Sequence, residues 1–279
     1  MSLKTFLLIT LVATTATFQK SNAQIAPETV LYESDFTGAN GTTPKDWSSY
    51  AKGDNSMEIQ SNRYTFRRNT SGSAMFAWYT GDYESGGETP IPASEWENYS
   101  VEAVFRSGYT TRESTRNGLI LRWQGNTEGL YEGYHGFLTY VDASTIALSI
   151  LKNFSVGGGS DPNMGGGTLL KSESFTFSLA DNVDYRLSFQ GAGNELTLTF
   201  STLDNASSYS ITISDSSYTI GSPGLRVYQS SNSRTTGFQS VVITSSIPEP
   251  SASAIGLVGL VSLGGAFLGC RGFAARRRR

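Results

Sequence analysis

The chain has 279 residues, of which 38% are hydrophobic and 16% charged, with a single histidine and a single cysteine. One histidine excludes a zinc site built from several, and one cysteine excludes an internal disulfide or a Cys-based metal or redox centre. Stability must therefore come from core packing and backbone hydrogen bonding.

Residues 1–23 open with Lys4, continue through the apolar "FLLITLVATTATF" and end in "SNA" at Ala23. A charged n-region, a short h-region and a small-residue cleavage site predict a signal peptide cut after Ala23, and hence export. The apolar core is too short and too rich in threonine to be a good membrane span.

Residues 24–246 form the predicted folded domain. Setting both ends aside leaves 14 basic and 23 acidic residues, a net charge near −9. That balance argues against nucleic acid or an anionic lipid surface as partner, because both require clustered Lys and Arg. Period-2 or β-rich runs recur along this stretch: "LYESDF" (31–36), "RYTFRR" (63–68), "AMFAWY" (74–79), "NYSVEAVFR" (98–106), "GLILRW" (118–123), "GFLTYV" (136–141) and "TIALSILKN" (145–153). They continue through "ESFTFSL" (173–179), "DYRLSFQ" (184–190), "ELTLTFS" (195–201), "SYSITIS" (208–214), "GLRVY" (224–228) and "FQSVVIT" (238–244). Alternating Val, Ile, Thr, Tyr and Phe suit strands with one buried face. Turn residues separate them, as in "GAGN" (191–194) and "GSPG" (221–224). No stretch carries sustained 3.6-residue periodicity. The expectation is an all-β domain of two antiparallel sheets packed face to face.

The loop "SVGGGSDPNMGGG" (155–167) offers Asp161 and Asn163 as oxygen donors. It lacks the spaced acidic residues of a calcium loop. A mobile hairpin tip is the expectation, with no metal and no cofactor; the alternative is a calcium or ligand loop.

Chemistry-bearing residues cluster in two stretches. "RWQGNTEGLYEGYHG" (122–136) holds Trp123, Gln124, Asn126, Tyr131, Glu132 and Tyr134, and "WYTGDY" (78–83) holds Trp78, Tyr79 and Tyr83. Aromatic faces for sugar C–H surfaces, beside polar groups that fix hydroxyls, are what a carbohydrate site needs. Trp78, Tyr79, Trp123, Gln124, Tyr131 and Tyr134 are the candidate binding residues. The alternative is that Trp78 and Trp123, at strand ends, are core. His135, before a strand, has no Gly-x-Ser-x-Gly elbow to partner it, so a hydrolytic triad is not expected.

Several pieces together resemble the concanavalin A-like lectin/glucanase superfamily: "LYESDFTG" followed by Trp47, then "NYSVEAVFR", "NGLILRW", "YHGFLTYVDASTIALSILKNF", "DYRLSFQGAGNELTLTF" and "GSPGLRVYQSSNSRTTGFQSVVIT". The resemblance implies a jelly-roll sandwich, and similar domains occur in laminin-G-like modules and in glycoside hydrolases. The superfamily's retaining glucanases carry Glu-x-Asp-x-(x)-Glu on one strand, two carboxylates sharing a face. Here Glu95 and Glu97 lie two apart and Glu102 follows, with no Asp to complete the pattern. A weaker catalytic candidate is the pair Glu128 and Glu132, expected in a loop. A non-catalytic protein is favoured over a glycoside hydrolase; a structural matrix protein without a specific ligand is the other alternative.

The chain closes with "IPEPSASAIGLVGLVSLGGAFLGCRGFAARRRR" (247–279). Two prolines around Glu249 block helix and strand, leaving an extended segment a protease can grip. The uncharged run Ser251 to Cys270 would reach about 30 Å as a helix, and Arg271 with Arg276–Arg279 would stay cytoplasmic. Motif, span and basic cluster in this order resemble the PEP-CTERM sorting signal of Gram-negative bacteria. That resemblance implies recognition of Pro248, Glu249 and Pro250 by an exosortase. It also implies a transient inner-membrane anchor and a mature protein at the surface or in the matrix, where exopolysaccharide and biofilm are made.

Overall fold

A computed structural model describes residues 29–51, 55–68, 73–84, 90–106, 116–127, 130–155, 167–229 and 234–245. The expected signal peptide (1–23), the expected sorting tail (247–279), Glu128 and most of the glycine-rich loop lie outside them. The described residues form seventeen strands and one short 3-10 turn, Ala93–Glu95. In chain order the strands are β1 (Val30–Ser34), β2 (Trp47–Ala51), β3 (Ser56–Ile59), β4 (Tyr64–Arg68), β5 (Ser73–Tyr79), β6 (Asp82–Tyr83), β7 (Ile91–Pro92), β8 (Tyr99–Arg106) and β9 (Arg116–Thr127). They continue as β10 (Leu130–Asp142), β11 (Thr145–Ser155), β12 (Thr168–Thr176), β13 (Asp184–Ala192), β14 (Glu195–Thr202), β15 (Ser208–Ser214), β16 (Ser222–Gln229) and β17 (Arg234–Ser245).

The eight-stranded sheet runs β15-β14-β13-β8-β17-β4-β3, and the seven-stranded sheet runs β12-β11-β10-β9-β16-β5-β2. In the first sheet β17 pairs with β8 on one side; on the other its first part takes β4 and its last part β1. Every pairing is antiparallel, and chain neighbours such as β9, β10, β11 and β12 pair in sequence. This is the expected all-β sandwich.

Period-2 alternation builds the layer between the sheets. In β8, Tyr99, Val101, Ala103 and Phe105 are buried while the residues between them are half-exposed. Leu187 and Phe189 of β13 and Leu198 and Phe200 of β14 meet Leu119, Leu121, Leu148, Ile150, Leu225 and Val227 of the facing sheet in one cluster. Fully burying each such side chain contributes about 1.5–3 kcal/mol. The sheets approach closely at Gly136, where a Cβ would come within 2.8 Å of Leu198 and 3.0 Å of Phe189.

The seven-stranded sheet departs from the one-buried-face expectation. Residues 116–123 of β9 are buried without interruption, because this sheet's outer face carries a second apolar layer. A bulge shapes that layer. The four steps of β9 from Leu121 to Gly125 face only two of β10, from Tyr134 to Glu132, and Arg122 has φ 55°. The bulge breaks the alternation, so Ile120 and Trp123, three apart, share one cluster on the outer face.

Candidate functional site

The outer layer is built from Phe76, Ile120, Trp123, Tyr131 and Phe154, with the partly buried Tyr50, Trp78 and Tyr228 against them. Trp78 and Trp123 stack with centroids 5.2 Å apart, and Trp123 and Tyr131 at 5.5 Å and 21°. Phe76 meets Tyr131 edge-on at 4.4 Å and stacks on Tyr50 at 5.3 Å. These separations lie in the favourable range for aromatic pairs. Burial pushes the Tyr131 hydroxyl up, and its hydrogen bond with Tyr50 adds to the shift. Next to Trp123, Gln124 is exposed, and its amide donates to the Ile220 carbonyl.

Three of the predicted aromatics, Trp78, Trp123 and Tyr131, are thus brought together, with Gln124 beside them. Tyr79 and Tyr134 go elsewhere: both belong to the core between the sheets. Tyr79 follows Trp78 along β5, and successive side chains of a strand point to opposite faces. Its ring packs on Tyr32 at 4.3 Å and Trp96 at 5.6 Å, and burial, then the charge of Asp46, pushes its hydroxyl up to about 12. The Tyr134 hydroxyl donates to Asp215 Oδ1 at 2.6 Å and accepts the Tyr218 N–H at 3.0 Å. Burial first, then that carboxylate, raises it to about 12. Glu132 lies in β10 rather than in a loop, and its charge acts on Tyr218, at the core's edge. Among the described residues no three of His, Cys, Asp and Glu gather as metal ligands.

Sequence reasoning missed the cationic part of this face. Arg226, 3% exposed, sits between the core residues Leu225 and Val227 and points outward. Its guanidinium carbon lies 3.6 Å from the Phe154 ring centroid and 5.2 Å from that of Phe137. Arg116 lies 5.4 Å from Phe137 and 5.3 Å from Tyr228. Burial, then the charge of Arg116, lowers Arg226 to about 9. His135 is fully buried within β10 rather than at a strand edge. Burial, then Arg226, holds it well below 6.5, against a weaker upward pull from the Tyr131 backbone, and it is neutral at pH 7. The available signal was "GLRVY", an arginine alternating with core residues in mid-strand.

No protein-family model matches the chain, and no curated protein does. Solved structures do. The VIP36 exoplasmic/lumenal domain in its Ca2+/Man2-bound form aligns with TM-score 0.53 at 13% identity, covering 79% of this chain and 89% of that one. Its metal-free form aligns with TM-score 0.52 at 12% identity over 77% and 91%. The fold is thus the two-sheet β-sandwich of the VIP36 domain. The carbohydrate-binding module CBM66 from Bacillus subtilis also aligns, with TM-score 0.46 at 15% identity, over 72% of this chain and 96% of the module.

Proposed function

We propose that this chain is an exported glycan-binding protein of a Gram-negative bacterium. It works at the cell surface or in the extracellular matrix, with extracellular polysaccharide as its partner. Delivery is by an exosortase acting at Pro248, Glu249 and Pro250, and the membrane is a partner only until the tail is removed. The observation that carries the binding reading is the Trp78–Trp123–Tyr131 stack, with its 5.2 and 5.5 Å separations and the exposed Gln124 beside it. The half-buried Trp78 presents its apolar ring to sugar C–H faces, the buried Trp123 and Tyr131 back it, and the adjacent amide orients hydroxyls. The VIP36 domain, of the same fold, has been solved with Ca2+ and Man2 bound, which supports the reading.

A glycan array probed with the purified protein tests it. At least one glycan class is expected to bind, and Trp123→Ala is expected to weaken that binding by at least about tenfold. Binding to no glycan above background, or an unchanged affinity in Trp123→Ala, would overturn the assignment.

A further inference from the structure

Arg226 is buried on the outer face at a cost. Its guanidinium is covered by Phe154 and Phe137, yet among the described residues Nη1 has no hydrogen-bond partner. Aromatic faces recover part of the lost hydration through cation–π attraction, but a buried donor without an acceptor is left at a penalty. His135 repeats the pattern in part: it is 0% exposed, and among the described residues neither ring nitrogen has a well-formed hydrogen bond, only a weak interaction with the Tyr131 backbone. The two groups converge, since the His135 ring lies 5.8 Å from the same Phe154 ring that Arg226 covers at 3.6 Å.

Sheet register places this pair beside the aromatic stack. Arg226 is opposite Phe76 on one side and Gly118 on the other, and Phe137 is the next residue across. Phe76 in turn touches Tyr50, Trp78, Trp123 and Tyr131. Solvent reaches this layer at the half-buried Tyr50, Trp78 and Tyr228. An arginine kept only for packing would be better replaced by an apolar residue of similar volume.

We propose that Arg226 and His135 form an anion subsite at the floor of the aromatic layer, which takes the carboxylate or sulfate of an acidic sugar. The proposal rests on the glycan-binding reading and narrows its ligand to acidic glycans. The guanidinium donates to the anion's oxygens, and His135, neutral, donates from one ring nitrogen. The flanking rings exclude water and strengthen both bonds.

The chain's single histidine gives an unambiguous imidazole NMR signal for the test. D-Glucuronate and glucose 6-sulfate are titrated into the purified protein against D-glucose, and D-galacturonate against D-galactose. Tryptophan fluorescence is followed alongside. Acidic sugars are expected to shift the His135 resonance saturably and to bind at least about tenfold tighter than their neutral twins. Arg226→Met, checked for retained fold by circular dichroism, is expected to lose the His135 response. Whether uronate or sulfate gives the larger shift identifies the anion. Equal binding of acidic and neutral sugars with His135 unmoved would overturn the subsite and leave the glycan reading intact. No response of either signal to any sugar would overturn both.

Discussion

Arg122 shows how much one side chain organises here. It is 1% exposed, and three carbonyls from separate segments accept its protons: Glu97 at 3.2 Å, Tyr218 at 2.8 Å and Gly193 at 2.7 Å. Its own N–H donates to the Tyr99 hydroxyl at 2.6 Å, and that hydroxyl donates to the Gly221 carbonyl at 2.8 Å. The strand β13 makes room at Gly191, where a Cβ would stand 3.2 Å from Nη2. Arg122→Ala deletes a 1% exposed side chain and its three part-buried hydrogen bonds and is expected to cost about 3 kcal/mol or more. Urea denaturation reads this directly, and a loss under about 0.5 kcal/mol, the range of neutral surface changes, would contradict it. Arg122→Lys, a point donor without the fork, is expected to fall between the two. None of this is visible in "RWQG", because an arginine's partners are set by the segments that fold against it.

At the scale of elements, the connector after β15 is clipped to β10 and β11 through Asp215. Partial burial alone would raise this carboxyl. The Tyr134 hydroxyl, Ser217 and the charge of Lys152 outweigh burial and hold it at about 2. The ordinary value in an unfolded chain is about 3.9. A depressed folded-state value means the clip's stability is fully present above about pH 4 and is lost as pH falls from about 4 to about 2. Solvent screening keeps the contribution to about 1 kcal/mol. Asp215→Asn is expected to flatten, without abolishing, the acid limb of a stability-versus-pH curve. Asp184, lowered mainly by its hydrogen bond to Arg106, supplies a further part. An unchanged acid limb in Asp215→Asn would refute the clip. The longer strands were legible from alternation, as in "ELTLTFS", whose Leu196, Leu198 and Phe200 all enter the core. Short strands such as β2, "WSSYA", and β3, "SMEI", were not, because serine and glutamate carry little strand signal and pairing partners alone hold them.

At the scale of the whole molecule, two sheets leave one face each for solvent or ligand, and the seven-stranded sheet uses its outer face for an aromatic and cationic layer. The proposed route to the surface removes the tail, and with it five arginines. Mass spectrometry of the protein recovered from the cell surface is expected to find a C-terminus at or near Pro250. An intact Arg279 on that protein would refute processing. The mature domain would then carry the net charge near −9 of residues 24–246. Acidic sugars approaching such a surface would be repelled at long range, so the proposed selection would rest on short-range contacts at Arg226 and His135.

The amino-acid sequence by itself determined the all-β class and the two-sheet packing, because period-2 alternation and turn chemistry are local properties. It also named three rings that meet, Trp78, Trp123 and Tyr131. Only the tertiary structure decided that Tyr79 and Tyr134 turn into the core. Neighbours along a strand face opposite ways, and which way is which depends on register and on the bulge at Arg122. It alone placed Arg226 against Phe154 and His135 at the same ring, a convergence of β16, β10 and β11 that no spacing along the chain encodes.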